Sequence, residues 1–141
     1  MEQYIEFASN NIILVIAFVF VAGMIIKNEI SIATRGFKDI SPTDATRLLN
    51  HEDALMLDIR TANEYRDGHI IDSKHIPVNE LASRLTELEK HKNSHIIAYC
   101  RSGNRSITAC KTLKKNGFEH IHNLGGGIMA WENANLPITK N

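Results

Sequence analysis

Cysteine is scarce in this 141-residue chain: there are two, Cys100 and Cys110. Two are too few for a disulfide framework, and a loop cysteine followed by a helix cysteine does not read as a staple. Neither a C-x-x-C pair nor a Cys/His cluster at zinc spacing is present, which argues against a structural metal. An excess of either charge is also missing, with 16 basic against 16 acidic residues. Nothing in that balance recruits nucleic acid. Internal repeats, low-complexity tracts and Gly/Ser linkers are absent as well, which excludes solenoids and disordered tethers.

Hydrophobicity, in contrast, is concentrated at one end. Ile12 to Ile26 is an unbroken run of 15 residues, apolar apart from Gly23. Extension back to Phe7 gives 20 residues without a charge, close to the length that spans a bilayer core. A secretory signal would carry basic residues ahead of the run, yet only Glu2 and Glu6 precede it. A buried core helix would show a polar stripe, and this run is apolar all round. Residues 7–26 therefore read as a single membrane span. Lys27, Arg35 and Lys38 follow it and nothing basic precedes it, which places the rest of the chain in the cytoplasm, beneath the inner membrane. The expected division is an anchor with linker over 1–35 and a soluble domain over 36–141.

The soluble part is punctuated regularly. Ser41-Pro42-Thr43-Asp44 reads as a helix start, with Ser41 as cap and Pro42 in the first turn. Ala54 to Ile59 is a short apolar run suited to a buried central strand. Ala62 to Arg66 reads as a helical turn, and Lys74 to Pro77 as a brief strand. Leu81, Leu85 and Leu88 recur at helical spacing, and Ile96 to Tyr99 is the next strand. A helix beginning at Ser106 ends at Lys114-Lys115-Asn116-Gly117, with basic residues in its last turn and glycine beyond. His120 to Leu124 is a further strand, and Gly125-Gly126-Gly127 turns into a helix carrying Trp131. Alternating strands and helices imply an α/β domain with a mainly parallel sheet flanked by helices.

In such sheets the working loops lie beyond the carboxyl ends of the strands. Cys100-Arg101-Ser102-Gly103-Asn104-Arg105-Ser106 occupies that place, between the strand ending at Tyr99 and a helix. Successive backbone N–H groups and a helix N-terminus favour an anion there. A thiol so placed ionises more readily, and the thiolate is the nucleophile. Gly103 lets the backbone bend where a Cβ would clash, and Ser106 is positioned to cap the helix. Cys110 falls on the apolar face of that helix and reads as core. His120-x-His122 is the only metal-like spacing, and it lacks a third ligand in sequence.

Several stretches now stand in order: Leu57-Asp58-Ile59-Arg60, Glu64-Tyr65, Gly68-His69-Ile70, His75-Ile76-Pro77, the cysteine loop, and Leu124 to Trp131. Together they resemble the rhodanese (sulfurtransferase) domain over Lys38 to Pro137. With the apolar run, the chain looks like a membrane-anchored single-domain rhodanese of the bacterial type. One departure is Asp72-Ser73, where the family usually has Gly-Ala before the next strand. It touches a turn rather than the reactive centre.

The resemblance implies transfer of sulfane sulfur through a Cys100 persulfide, with no cofactor and no metal. The donor would be thiosulfate-like and the acceptor a thiol or cyanide. Arg101 and Arg105 would supply cationic forks for donor oxygens. Asp58 and Arg60 would be supporting residues, Asp58 pairing an arginine beneath the loop. Four residues separate Cys100 from Arg105. Cysteine-dependent phosphatases and the related arsenate reductases use Cys-x5-Arg, so the shorter loop favours one sulfur atom over a tetrahedral phosphate. A second class of function also fits: a tethered scaffold that keeps the fold to hold a membrane-protein partner.

Overall fold

The computed structural model describes residues 1–140. The chain divides into two compact units, Met1–Arg35 and Gly36–Asn141.

The first unit is two helices. α1 covers Glu2–Asn10 and α2 covers Ile12–Ala33. Asn11 leaves helical geometry between them, with φ −127° and ψ 38°, and its side chain donates to the Phe7 carbonyl. The apolar run is thus split from the residues before it, and the helix that carries it continues past Lys27 and Glu29. α2 has 22 residues and none of them is buried. At 1.5 Å per residue it is about 33 Å long, long and apolar enough to cross a membrane.

The second unit is an α/β domain. Its elements are β1 (Lys38–Ile40), α3 (Pro42–His51), β2 (Ala54–Asp58), α4 (Ala62–Asp67), β3 (His69–Ile70), β4 (Lys74–His75), α5 (Val78–Leu81), a 3-10 turn (Leu85–His91), β5 (His95–Tyr99), α6 (Asn104–Lys115), β6 (His120–Leu124), α7 (Gly127–Asn133) and β7 (Ile138–Thr139). Five strands form one sheet in the order β1-β6-β5-β2-β4, and every pairing in it is parallel. β3 and β7 pair antiparallel as a separate ribbon.

Strand alternation splits the core in two. From β5, Ile97 and Tyr99 join Ala45, Met56, Leu124, Ile128 and Trp131 on one face. Ile96, Ala98 and the following Cys100 join Leu57, Leu81, Leu88, Ala109, Cys110, Leu113 and Phe118 on the other. The central strands are buried on both sides, hence their nearly continuous apolar sequences.

Local signals explain most of the boundaries. Ser41 Oγ accepts the Asp44 N–H and starts α3. Thr61 and Glu64 form a reciprocal capping box on α4, from a T-x-x-E pattern that the sequence carries openly. The segment around Leu81, Leu85 and Leu88 differs from expectation. It is one short helix and a 3-10 turn rather than a single helix, because Ser83 and Arg84 N–H groups bond back to Glu80 O and reset the phase. β1 and the β3–β7 ribbon are too short to show a periodicity.

Candidate active site

β5 delivers Cys100 to the carboxyl end of the sheet, between β2 and β6. The thiol is buried. Its Sγ accepts the Gly103 N–H at 3.1 Å and lies 3.6 Å from the Ser106 hydroxyl. Burial pushes the thiol pKa up. Hydrogen bonding to the Ser106 hydroxyl and to the N–H groups of Ser106, Gly103 and Ser102 outweighs it, and the net shift is downward. The loop is therefore a ring of donors closed round one sulfur atom. Cys110 shows the opposite balance: burial, with Asp39 nearby, pushes its thiol up to about 12, so it stays a protonated core residue.

Two glycines shape the ring. Gly103 has φ +96°, and a Cβ there would sit 3.2 Å from Leu124 O. Gly127 has φ +58°, and a Cβ would fall 2.4 Å from Cys100 O and 2.5 Å from Arg101 O. The glycine run after β6 thus lies against the loop backbone. Ile128 N donates to Cys100 O and Met129 N to Arg101 O, at 2.9 and 3.2 Å. The first turn of α7 is a brace for the cysteine loop.

Ser106 does not cap the helix as expected. α6 begins two residues earlier, at Asn104, with Gly103 in the cap position and no side-chain cap. Ser106 is instead buried inside the first turn. Its Oγ lies 2.5 Å from Asn123 Oδ1 and 3.1 Å from Gly103 O. Asn123 Nδ2 in turn donates to Asp39 Oδ1 at 2.7 Å and Gly103 O at 3.2 Å. A chain of polar groups, exposed at Asp39 and buried from Asn123 inward, thus runs from β1 to the thiol. Asn123 is the residue that sequence reasoning missed, since an asparagine inside a strand carries no motif.

Arg105 also departs from expectation. Both ends of its guanidinium are held by Glu64 of α4, at 2.9 and 2.6 Å, so it offers no free fork. The Arg105 guanidinium, with burial opposing and Thr61 assisting, holds the Glu64 carboxyl down at about 2. Arg101, Ser102 and Asn104 are exposed. Arg101 lines a cleft of about 230 Å³ together with Arg60, Glu64, Met129 and Glu132.

Beneath the loop, Asp58 pairs with Arg60, its neighbour two residues on. Arg60 Nε bonds Oδ1 at 2.9 Å and Nη2 bonds Oδ2 at 2.5 Å. Nη2 also reaches Gly68 O at 2.8 Å. The guanidinium lies 5.5 Å from the centroid of the Tyr99 ring, immediately before Cys100. Tyr99 OH bonds Ile70 N and Ser73 Oγ, both at 3.1 Å, so Ser73 of the unusual turn anchors the strand that carries the thiol. Tyr65 is stacked on both His69 and His75, with centroids 3.7 and 4.5 Å away.

Comparison with known proteins identifies the family of the domain. The family model for the rhodanese-like domain matches residues 41–134. The uncharacterized protein YibN of Escherichia coli K12 is 32% identical over 141 residues, covering 99% of each chain. A sulfurtransferase of Allochromatium vinosum is 41% identical over 92 residues, covering 65% of this chain and 84% of its own. The crystal structure of a rhodanese-related protein from Thermoplasma volcanium superposes with a TM-score of 0.67 at 28% identity, covering 74% of this chain and 99% of that one. The chain belongs to the rhodanese-like domain family.

Proposed function

We propose that this protein is a membrane-tethered sulfurtransferase that carries sulfane sulfur on Cys100. The observation that carries the reading is the donor ring: a buried thiol bonded by Gly103 N–H and faced by the Ser106 hydroxyl. Such a ring stabilises a sulfur anion, whether thiolate or persulfide.

In the first half-reaction the Cys100 thiolate attacks the outer sulfur of thiosulfate. The S–S bond of the donor breaks, its electron pair leaves with sulfite, and Cys100 becomes a persulfide anion. In the second, cyanide or a thiolate attacks the terminal sulfur, and the electron pair of the breaking bond returns to Cys100. Arg101, exposed at the cleft beside the loop, meets the sulfonate oxygens of the donor. Arg105 fixes the loop to α4 through Glu64. The donor ring shifts the thiol pKa below its usual value, which favours the thiolate as the attacking form.

The four-residue interval between Cys100 and Arg105, and the engagement of Arg105 by Glu64, both count against a phosphatase. α2 supports the tether, with 22 residues and an apolar surface none of which is buried. The basic residues after its apolar run support a cytoplasmic domain, and a reducing environment there would keep Cys100 free. The test is thiocyanate formation from thiosulfate and cyanide by full-length protein in membranes. Activity should sediment with the membranes, resist alkaline carbonate, and vanish in Cys100→Ala. Hydrolysis of an aryl phosphate in place of thiocyanate formation would overturn the reading.

A further inference from the structure

The sequence offered His120-x-His122 without a third donor; the fold supplies one. β5 and β6 run parallel with His95 beside His120 and Ile97 beside His122. His95, His120 and His122 therefore share one face at the amino ends of these strands. This is the opposite end of the sheet from the cysteine loop: five residues of β5 at roughly 3.3 Å each separate them by about 16 Å.

The three rings are close. His95 Nδ1 lies 2.9 Å from His122 Nε2. The His95 ring centroid is 4.9 Å from that of His120 and 5.2 Å from that of His122. Two imidazoles bound to one ion at about 2.0–2.1 Å place their centroids roughly 4.5–5.3 Å apart. Among the described residues no group of three or more His, Cys, Asp or Glu side chains is arranged to hold a metal ion as the rings stand. Convergence requires ring rotation, and two features permit it. His120 is exposed, so its ring turns without disturbing the core. His122 Nδ1 is buried without a hydrogen-bond partner, so the contact with His95 is that ring's one polar restraint.

We propose that His95, His120 and His122 bind one borderline divalent transition-metal ion, of the Zn²⁺ or Ni²⁺ class, at the end of the sheet away from Cys100. The ion takes the place between His95 Nδ1 and His122 Nε2, with His120 as the third ligand and water completing the shell. An all-imidazole set excludes Mg²⁺ and Ca²⁺, which want oxygen. Ligation through Nε2 puts the proton of His122 on the unpartnered Nδ1, and Lys38 pairs beside His122 on β1. Both costs keep the site weaker than a structural zinc site, and suit it to exchange rather than permanent retention.

The test is equilibrium dialysis of untagged full-length protein in detergent against Zn²⁺ or Ni²⁺, in a Cys100→Ser background so that the thiolate does not compete. The expected result is saturable uptake of one ion per chain, with no uptake of Mg²⁺. His120→Asn leaves the core untouched and should weaken uptake about tenfold or more, as should His95→Asn. Proton NMR should show three of the seven histidine signals moving with the ion. No saturable uptake, or uptake unchanged in both variants, would overturn the proposal. Because the site is remote from the loop, this outcome is independent of sulfur transfer.

Discussion

Asp58→Asn is the sharpest test of how the loop is supported. Asp58 is fully buried and its partner Arg60 is 6% exposed. The carboxylate accepts three side-chain contacts from Arg60 and the Arg60 N–H. Asparagine keeps the shape and one oxygen but removes the charge, leaving a buried guanidinium with one amide oxygen and Gly68 O as its polar partners and no counter-charge. Breaking a buried pair from one side costs about 3–5 kcal/mol. A domain of this size has roughly 5–15 kcal/mol to lose, so the substitution removes a large part of its stability. The Asp58→Leu/Arg60→Met double variant removes both charges and should cost much less than the single one. Denaturant unfolding of full-length protein in detergent, followed at the domain's single tryptophan, measures both. A loss under about 1 kcal/mol in Asp58→Asn would refute the argument. So would a double variant less stable than the single one.

Two further outcomes concern the loop. Ser106→Ala removes a hydroxyl that faces Cys100 Sγ. A hydrogen bond to a charged group is worth about 1.5–3 kcal/mol, and the one Ser106 proton is shared with Asn123 Oδ1 and Gly103 O, so the pH midpoint of Cys100 alkylation should rise by up to about 1 unit. An unchanged midpoint would remove Ser106 from the account. Glu64→Gln breaks an ion pair that is partly exposed, worth about 0–1 kcal/mol. The folded-state pKa of Glu64 is depressed to about 2, so its contribution is present at neutral pH and lost as pH falls from the unfolded value toward 2. The wild type should lose that small increment on acidification and Glu64→Gln should not, as read by urea unfolding at pH 7 and pH 3.

What was legible in the sequence follows physical range. α3 and β2, the span at Ile12 and the cysteine loop announce themselves within a few residues through caps, apolar runs and turn chemistry. Ser106 is visible in the loop sequence, but its role is not. Helix starts move with the glycine that takes the left-handed cap position, and Gly103 took it, which turned Ser106 inward. Arg105 reads as a free cation because its partner Glu64 lies 41 residues away, and no local pattern encodes that meeting. Asn123 and Asp39 meet Ser106 only across three elements. His95 joins His120 and His122 only through the register of β5 with β6.

The central claim is that Cys100 carries sulfur. Full-length protein incubated with thiosulfate and freed of excess donor should gain about 32 Da by intact mass, one sulfur atom, and lose it on addition of cyanide. Cys100→Ser should gain nothing, since Cys110 is buried and protonated. An unmodified wild type, or an equal gain in Cys100→Ser, would contradict the account.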